Sequence, residues 1–346
     1  MKPSVVIDGR IIGAPSPPYV IAEAGVNHNG SPELAGRLID AAAHAGADAV
    51  KFQTFTADAL AVADAPQAEY QRARGATSGQ REMLAGLELP IDALGLLRDH
   101  ASRRGITFLS TPFDLPSLDV LIALGVPAVK IGSGDLTNAF LLRAAAAAGR
   151  PLLLSTGMAS AREVSAALDM VGDAPVVLLQ CTSAYPCPME DANLRAIIGL
   201  RDEFGRETGF SDHTLGIAAA IAATALGASV VEKHLTLDRS MAGPDHAASL
   251  EPAAFAELVS GVRAAHQALG DGVKAPQPIE ADLLRVARRS LVLKSDLPEG
   301  HLLRAADLDA KRPAAGINPM EIDRVVGRRL RRDVAADVPL QQSDLA

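Results

Sequence analysis

The sequence predicts a (β/α)8 barrel, an α/β fold, followed by a small β-rich domain. Short apolar runs recur over the first 234 residues, separated by stretches rich in Ala and Leu with helical spacing, which is the pattern of repeated β-α units. Most runs are apolar throughout, as expected of parallel strands covered on both faces. Polar side chains stand at the C-terminal end of every run, where the active sites of barrel enzymes lie.

Eight runs predict the barrel strands. They are YVIAEAG at 19–25, DAVKFQT at 48–54, GITFLST at 105–111, PAVKIGS at 127–133, PLLLSTG at 151–157, PVVLLQCTS at 175–183, ETGFSD at 207–212 and ASVVEKH at 228–234. Helices are predicted between them, as in SPELAGRLIDAAAHAGA after the first strand, and each ends near a Gly. A doubly wound open sheet is the alternative, but no G-x-G-x-x-G follows any run.

Two segments interrupt this pattern. Residues 54–90 are too many for an ordinary βα connection, and they predict a partly helical insertion over the barrel mouth. The sequence DGVKAPQPIE at 271–280 has two prolines and no periodicity, which is typical of a linker. We therefore expect a catalytic barrel over 1–270, a linker over 271–284 and a small β-rich domain over 285–346.

Composition argues against a nucleic-acid-binding barrel. Aromatic residues are 3% of the chain and Trp is absent, so stacked aromatic platforms are not available. Residues 285–346 carry 12 basic and 9 acidic side chains, a net charge of +3. Since the whole chain has a net charge of −8, the first 284 residues have a net charge of −11. Because duplex binding needs a basic face, we expect no nucleic-acid partner.

The termini and cysteines predict a cytoplasmic location. The first residues contain no apolar run long enough for a signal peptide, and no later segment approaches the roughly 20 apolar residues of a membrane span. Cys181 and Cys187 do not form a C-x-x-C pair and cannot make a disulfide framework. We therefore expect a soluble protein in a reducing compartment, with no membrane partner.

Two histidines stand at the ends of neighbouring predicted strands. His213 follows the seventh strand in GFSDHT, and His234 ends the eighth in VVEKH. Two imidazoles from one rim suit an Mn, Zn, Fe or Co ion with positions left for water and substrate. The residues leave the choice among these ions open. The alternative is that the two side chains only form hydrogen bonds within the rim.

Lys51 and Lys130 lie among apolar neighbours, where an unpaired ammonium would be costly to bury. A bound anion would compensate them, and nearby hydroxyls would donate hydrogen bonds to it, as in a phosphate and carboxylate site. These hydroxyls belong to Thr111, Ser133, Ser155 and Ser183. Salt bridges to Glu23 or Glu232 are one alternative, and a Schiff-base lysine is another.

Glu23 is the acid of the first predicted strand. If the alternation of the strand points it into the barrel mouth, it could move protons or hold an ordered water. The simpler interpretation is a structural ion pair with Lys51.

Many short motifs together resemble the sialic acid synthases, over about residues 17–340. The motifs are IAEAGVNHNG at 21–30, VKFQTF at 50–55, FLSTPFD at 108–114, KIGSGDLTN at 130–138, LSTGMAS at 154–160, QCTSAYPCP at 180–188, GFSDHTLG at 209–216, VEKHLTLDRSMAGPDHAASLEP at 231–252, RRSL at 288–291 and KRPAAGI at 311–317. The resemblance implies a barrel followed by an antifreeze-like (SAF) domain, and a homodimer in which that domain is swapped to close the partner's active site.

The resemblance also implies roles for individual residues. His213 and His234 would hold the metal, a divalent cofactor for which we expect Mn2+ ahead of Mg2+ or Co2+. Glu23 would lie beside the reacting carbons. Phosphoenolpyruvate would be held by Lys51, Thr111, Lys130, Ser133, Ser155, Ser183 and Ser211. The sugar would contact Gln53, Asp135, Tyr185, Asp245 and, across the dimer, Arg312.

The implied reaction condenses phosphoenolpyruvate with N-acetylmannosamine, or a close 2-acetamido sugar, and water to give N-acetylneuraminate and phosphate. The motifs at 243–246 and 249–252 resemble the N-acetylneuraminate and legionaminate branches more than the pseudaminate branch, so diacetyllegionaminate is the alternative product. The chain has Ala314-Ala315 where many members have Gly-x in the turn after Arg312. A synthase of shorter keto acids and a non-catalytic sugar-binding protein are the remaining alternatives.

Overall fold

The computed structural model describes residues 4–66 and 79–346, which form two compact units, Met1–Gly270 and Asp271–Ala346. The strands are β1 Val5–Ile7, β2 Arg10–Ile12, β3 Tyr19–Gly25, β4 Ala49–Thr54, β5 Thr107–Pro112, β6 Val129–Ile131, β7 Leu152–Ser155, β8 Val176–Cys181, β9 Glu207–Asp212, β10 Val230–His234, β11 Ser290–Leu293 and β12 Leu308–Lys311. The helices are α1 Pro32–His44, α2 Ala57–Leu60, α3 Gln80–Ala85, α4 Ile91–Arg103, α5 Leu115–Leu124, α6 Ala139–Ala147, α7 Ala161–Val171, α8 Ala196–Phe204, α9 Ala218–Ala225, α10 Pro252–Leu269, α11 Ala281–Ala287 and α12 Ile322–Val325.

Strands β3 to β10 form one parallel sheet in the order β5-β4-β3-β10-β9-β8-β7-β6. The first and last of these strands pair, and β5 and β6 at the two ends of the order contact each other, so the sheet is a nearly closed barrel. All eight predicted strands are present at the predicted places. The predicted (β/α)8 barrel is confirmed.

Helix α1 shows how the sequence builds the outer layer. The Ser31 side chain accepts a hydrogen bond from the Leu34 backbone N–H at 3.2 Å, and Pro32 occupies the first turn. Both features are typical helix starts. Buried side chains then recur three and four residues apart, so one apolar stripe packs against the barrel.

A hairpin of β1 and β2 precedes the barrel. Its turn residues Asp8 and Gly9 both have positive φ, as two-residue hairpin turns require. Val5 and Ile7 of the hairpin belong to the same buried cluster as Tyr19, which opens the first barrel strand. The hairpin therefore packs against the N-terminal end of the barrel, opposite the strand ends that carry the predicted site.

The predicted insertion at 54–90 contains the short helices α2 and α3; residues 67–78 of it lie outside the described residues. In the second unit, β11 and β12 pair antiparallel over their own buried cluster, which includes Leu291 and Leu340. The segment predicted to be a linker contains a short turn at Pro278–Glu280 and the start of α11. Within the described residues, no helix is long and apolar enough to cross a membrane.

Candidate active site

A cavity of about 540 Å³ opens at the C-terminal ends of the barrel strands. It brings together twelve of the residues predicted for the site, which come from places up to 211 positions apart in the chain. They are Glu23, Lys51, Gln53, Thr111, Lys130, Ser133, Ser155, Ser183, Tyr185, Ser211, His213 and His234. Parallel strands explain this convergence, because their C-terminal ends meet at one rim.

Two lysines and two glutamates form a buried charge cluster in this cavity. Lys51 Nζ lies 2.6 Å from Glu23 Oε2 and 3.7 Å from Glu232 Oε2, and it donates to Thr111 Oγ1 at 2.9 Å. Lys130 Nζ lies 3.9 Å from Glu232 Oε1. The side chains of both lysines are at most 4% exposed. The alternative of internal ion pairs is thus realised, within a cavity that also offers hydroxyls.

Burial and pairing shift the pKa of each member of this cluster. Burial raises the pKa of Glu23, against the effect of Lys51, and lowers that of Lys130, against the effect of Glu232. Burial also opposes the charge on Lys51, but Glu23 and Glu232 outweigh it and raise the Lys51 pKa. For Glu232, burial opposes ionisation, yet Lys130 and Lys51 hold the pKa at about 2. Glu23 is the carboxyl of the two that takes up a proton more readily.

The hydroxyl side of the cavity depends on Gly157. Ser133 Oγ accepts a hydrogen bond from the Gly157 backbone N–H at 3.0 Å. A Cβ at position 157 would lie 2.8 Å from that oxygen and 2.5 Å from Ser183 Oγ, so only Gly lets both hydroxyls approach. Ser155 Oγ is buried with no hydrogen-bond partner among the described residues. A buried hydroxyl without a partner suits a ligand acceptor.

The two predicted metal ligands stand side by side. The ring centroids of His213 and His234 are 5.5 Å apart, and Tyr185 lies against the His213 ring at 4.1 Å. His213 Nδ1 bonds the Thr182 carbonyl oxygen at 2.8 Å, so in the neutral ring Nε2 is the nitrogen that carries the lone pair. His234 Nδ1 is buried without a hydrogen-bond partner and lies 3.9 Å from Asp245 Oδ2.

These features fit a divalent ion. Burial, followed by the neighbouring His213, lowers the pKa of His234 well below its usual value, so its ring is neutral and can ligate. The carbonyl bonded to His213 fixes its tautomer, as partners of metal-ligating histidines do. No group of three or more His, Cys, Asp or Glu suited to a metal occurs among the described residues. An ion held by this pair would therefore keep positions for water and substrate.

Three other predicted residues do not line the cavity. Asp135 lies in the turn after β6 and accepts from Asn138 Nδ2 at 3.0 Å. Asp245 lies beside His234, as given above. Arg312 is exposed in the second unit, in the turn after β12. In that turn the Ala315 and Gly316 N–H groups donate to Ser290 Oγ at 2.9 and 2.8 Å, so the Ala-Ala sequence forms an ordered turn.

The cavity also contains residues that we did not predict for the site. Glu232 accepts from Ser211 Oγ at 2.9 Å; its position at a strand end was the available signal. Cys181 lies 3.7 Å from both Ser133 Oγ and His213 Nδ1. One wall is apolar and comes from α2, α3 and the residue after β5, where the sequence has no periodic signal. This wall consists of Leu60, Leu84 and Phe113, which pack in one cluster; Gln80 of α3 also lines the cavity.

Comparison with known proteins identifies the family. The sequence profile of the NeuB family matches residues 38–274, and that of the SAF domain matches residues 288–346. The chain belongs to the NeuB family. The resemblance seen in the motifs is thereby confirmed, together with the C-terminal SAF domain.

Similar proteins extend over nearly the whole chain. The chain is 46% identical to N,N'-diacetyllegionaminic acid synthase of Legionella pneumophila, covering 93% of each sequence. It is 37% identical to human N-acetylneuraminate-9-phosphate synthase, covering 95% of this chain and 93% of that one. A crystal structure of the N-acetylneuraminic acid synthetase of Leptospira borgpetersenii, in complex with citrate, superposes with a TM-score of 0.73 at 36% identity, covering 82% of this chain and 96% of that one.

Proposed function

We propose that this chain is a nonulosonic acid synthase that joins phosphoenolpyruvate to an N-acetylated amino sugar and releases phosphate. One observation carries the proposal: two buried lysines and a set of hydroxyls lie beside two imidazoles in the cavity at the barrel mouth. The names of the legionaminic acid synthase and of the N-acetylneuraminate-9-phosphate synthase, both similar over nearly the whole chain, support it. The chain would act as a transferase on phosphoenolpyruvate.

Phosphoenolpyruvate would bind at the lysines and hydroxyls. Its phosphate and carboxylate would compete with Glu23 and Glu232 for Lys51 and Lys130, and Ser155 Oγ would gain the hydrogen-bond partner that it lacks. Charge-assisted hydrogen bonds of this kind hold and orient anions strongly.

The bond changes follow from this placement. C3 of phosphoenolpyruvate attacks the aldehyde carbon of the open-chain sugar, forming the new C–C bond, and the aldehyde oxygen takes a proton. Water adds to C2 and loses a proton. The tetrahedral adduct then expels phosphate by C–O cleavage, and the C2 hydroxyl gives its proton to the leaving phosphate as it becomes the ketone. Glu23 is suited to the proton from water because it is buried and bonded to Lys51 and Gln53 in the cavity.

The histidines would orient the sugar through a metal. A divalent ion, when bound, supplies Lewis acidity toward the aldehyde oxygen. His213 and His234 line the cavity at the ends of neighbouring strands, and Tyr185 packs against both rings at 4.1 and 5.8 Å between centroids. The ring contacts restrict the rotation of the imidazoles and exclude water from that side.

The candidate acceptor sugars are N-acetylmannosamine, its 6-phosphate and its 2,4-diacetamido-6-deoxy relative. Two observations favour the last. Identity to the legionaminic acid synthase is 46%, against 37% to the N-acetylneuraminate-9-phosphate synthase. The apolar wall of Leu60, Leu84 and Phe113 suits a methyl group better than a hydroxyl, which would lose hydrogen bonds there.

The competing functions receive less support. A synthase of seven- or eight-carbon keto acids would take a sugar phosphate and need more cationic side chains in the cavity. Among the described residues, the cavity lining contains two lysines, Lys51 and Lys130, and no arginine. A binding protein without catalysis would not need an imidazole pair with a buried nitrogen left unpaired. The homodimer, the reach of Arg312 to the sugar's N-acetyl group across it, Mn2+ as the metal and the cytoplasmic location stay predictions.

The test is phosphate release from phosphoenolpyruvate with Mn2+, with each of the three sugars supplied in parallel. We expect release that depends on the sugar, is faster with 2,4-diacetamido-2,4,6-trideoxymannose, and is lost in His234→Ala. Release with none of these sugars would contradict the proposed function. Release at equal kcat/KM with all three would remove the argument from the apolar wall but leave the synthase intact.

A further inference from the structure

A second charged cluster lies behind the imidazole pair, on the outer face of the barrel. Asp212 and Lys233 are directly opposite each other in the pairing of β9 with β10, and Lys233 Nζ lies 2.8 Å from Asp212 Oδ2. Neither side chain has any exposed surface. The other carboxylate oxygen, Asp212 Oδ1, accepts from the Thr214 N–H at 2.8 Å and from Thr214 Oγ1 at 2.7 Å. Lys233 Nζ also donates to the Thr214 carbonyl oxygen.

The preceding positions of the same face are apolar. Phe210 and Val231 pair with each other two residues before Asp212 and Lys233, and they pack in buried clusters that include alanines of α9. Side chains two residues apart on a strand share a face. The ion pair is therefore the last position of an otherwise apolar face between the barrel and its helices.

Stability alone does not explain an ion pair at this place. Removing two charges from water costs much of what their attraction returns, and well-packed apolar residues often replace such pairs without loss of stability. Every charged atom of this pair has a partner, so it also has no bond to offer a ligand. A role in fixing geometry remains.

The pair links the residues on both sides of His213. Asp212 precedes this histidine and Thr214 follows it, and both are bonded to the ammonium of Lys233, which itself precedes His234. One side chain of β10 thus sets the position of the β9 end relative to its own strand. Metal ligation tolerates little error, because each Zn–N or similar bond is fixed at about 2.1 Å.

We propose that Lys233, with Asp212, is a positioning residue that holds His213 and His234 at the separation needed to share one divalent ion. The inference rests on the proposed metal-binding role of the two histidines. Residues on the outer face of the barrel would thus raise the affinity of the inner site for its ion. Residues that hold metal ligands from behind have this effect in other metal sites.

The test uses Asp212→Asn/Lys233→Met in the full chain. This double variant removes both charges and the bond to the Thr214 carbonyl, while Asn Oδ1 can still accept from the Thr214 N–H, so no lone buried charge is left. Mn2+ binding is measured by electron paramagnetic resonance of the free ion. We expect the Mn2+ Kd to rise about 10- to 100-fold, as for other partners of metal ligands, with cooperative thermal unfolding retained.

Activity provides a second measurement. The Mn2+ concentration for half-maximal activity should rise by the same factor, while kcat at saturating Mn2+ stays close to that of the unaltered chain. A general loss of folded protein would lower kcat and leave the Mn2+ dependence unchanged. If the variant does not fold, Lys233→Met/Asp212→Leu replaces it, and the same shift in Kd is expected.

A control variant breaks a partly exposed ion pair at the other end of the barrel, where Asp48 keeps Arg10 as a partner. Arg263 Nη2 lies 2.5 Å from Asp48 Oδ2, so Arg263→Met also breaks a link between elements. It should leave the Mn2+ Kd unchanged. An unchanged Kd in the folded Asp212→Asn/Lys233→Met variant would overturn the inference alone. If the unaltered chain does not bind Mn2+, or if His234→Ala binds it equally well, the metal role of the histidines is overturned, and the inference with it.

Discussion

The inner and outer faces of the barrel rim use buried charge in different ways. Inside, the cluster around Lys51 lies in a cavity where Ser155 Oγ and His234 Nδ1 are buried without hydrogen-bond partners among the described residues. Outside, the Asp212–Lys233 pair is fully buried and each charged atom is bonded. At this rim the buried polar atoms without partners therefore lie where a ligand is proposed, and the completed network lies behind them.

Breaking the inner cluster should have the largest effect. Lys51→Met removes the ammonium that faces Glu23, Glu232 and the proposed anion, so kcat/KM for phosphoenolpyruvate should fall about 10³-fold. Steady-state phosphate release measures this. The substitution also leaves carboxylates without their partner, which lowers stability.

The double variant Lys51→Met/Glu232→Gln separates the two effects, because it removes one charge of each sign and keeps Glu23. It should recover thermal stability without recovering turnover, in contrast to Asp212→Asn/Lys233→Met, which should keep kcat at saturating Mn2+. Recovery of turnover in the first double variant would show that the inner lysine acts only on the fold. The difference between the two faces would then disappear.

The second prediction tests whether burial of a titratable side chain outside the cavity makes the free energy of unfolding depend on pH. His28 is fully buried, and burial lowers its pKa from 6.5 to about 4. Because the folded pKa lies below the unfolded one, the neutral ring contributes stability above pH 6.5 that is lost as the pH falls toward 4. The loss should reach about 3 kcal/mol, and urea unfolding between pH 7.5 and 4 measures it.

His28→Asn is the matched variant, since Asn can replace the acceptor that His28 Nδ1 offers to the Gly30 N–H at 3.0 Å. Its stability should change less with pH over this range. The exposed His44→Asn should keep the steep dependence. Equal slopes in all three proteins would mean that His28 does not titrate as the burial indicates.

The smallest effect concerns the hydroxyls of the inner face. In Gly157→Ala the new Cβ would displace Ser133 and Ser183, so the KM for phosphoenolpyruvate should rise about 10- to 100-fold, because misplacement by an ångström has effects of that order. Thermal stability should change little. Gly199→Ala, in α8 with open space around its Cβ, should leave KM unchanged. Unchanged KM in Gly157→Ala would exclude the two hydroxyls from the phosphoenolpyruvate site.

The sequence predicts the barrel well because its signal is local. An apolar run bounded by turn residues specifies a strand whatever its partners, and Tyr19–Gly25 and Glu207–Asp212 match the predicted ranges to the residue. The polar strand ends then predict most of the cavity. The N-terminal hairpin was not predicted, although the Asp8-Gly9 turn between apolar residues is a signal for it.

The remaining features depend on orientation or on folding of distant segments. In Ser211-Asp212-His213 and Glu232-Lys233-His234 every residue is polar, so the sequence does not show which side chains point outward. Alternation assigns the faces only once the register is known. The apolar wall comes from segments after the strands, and its place over the cavity follows from tertiary packing.

The pairing of β3 with β10 has a consequence for how the protein is made. Glu23 lies opposite His234 in the register of these strands, although 211 positions separate them along the chain. During synthesis from the N-terminus, this part of the site cannot form until β10 has been made and has paired with β3. Catalytic activity therefore reports closure of the whole barrel, and chains that stop before residue 234 should have none.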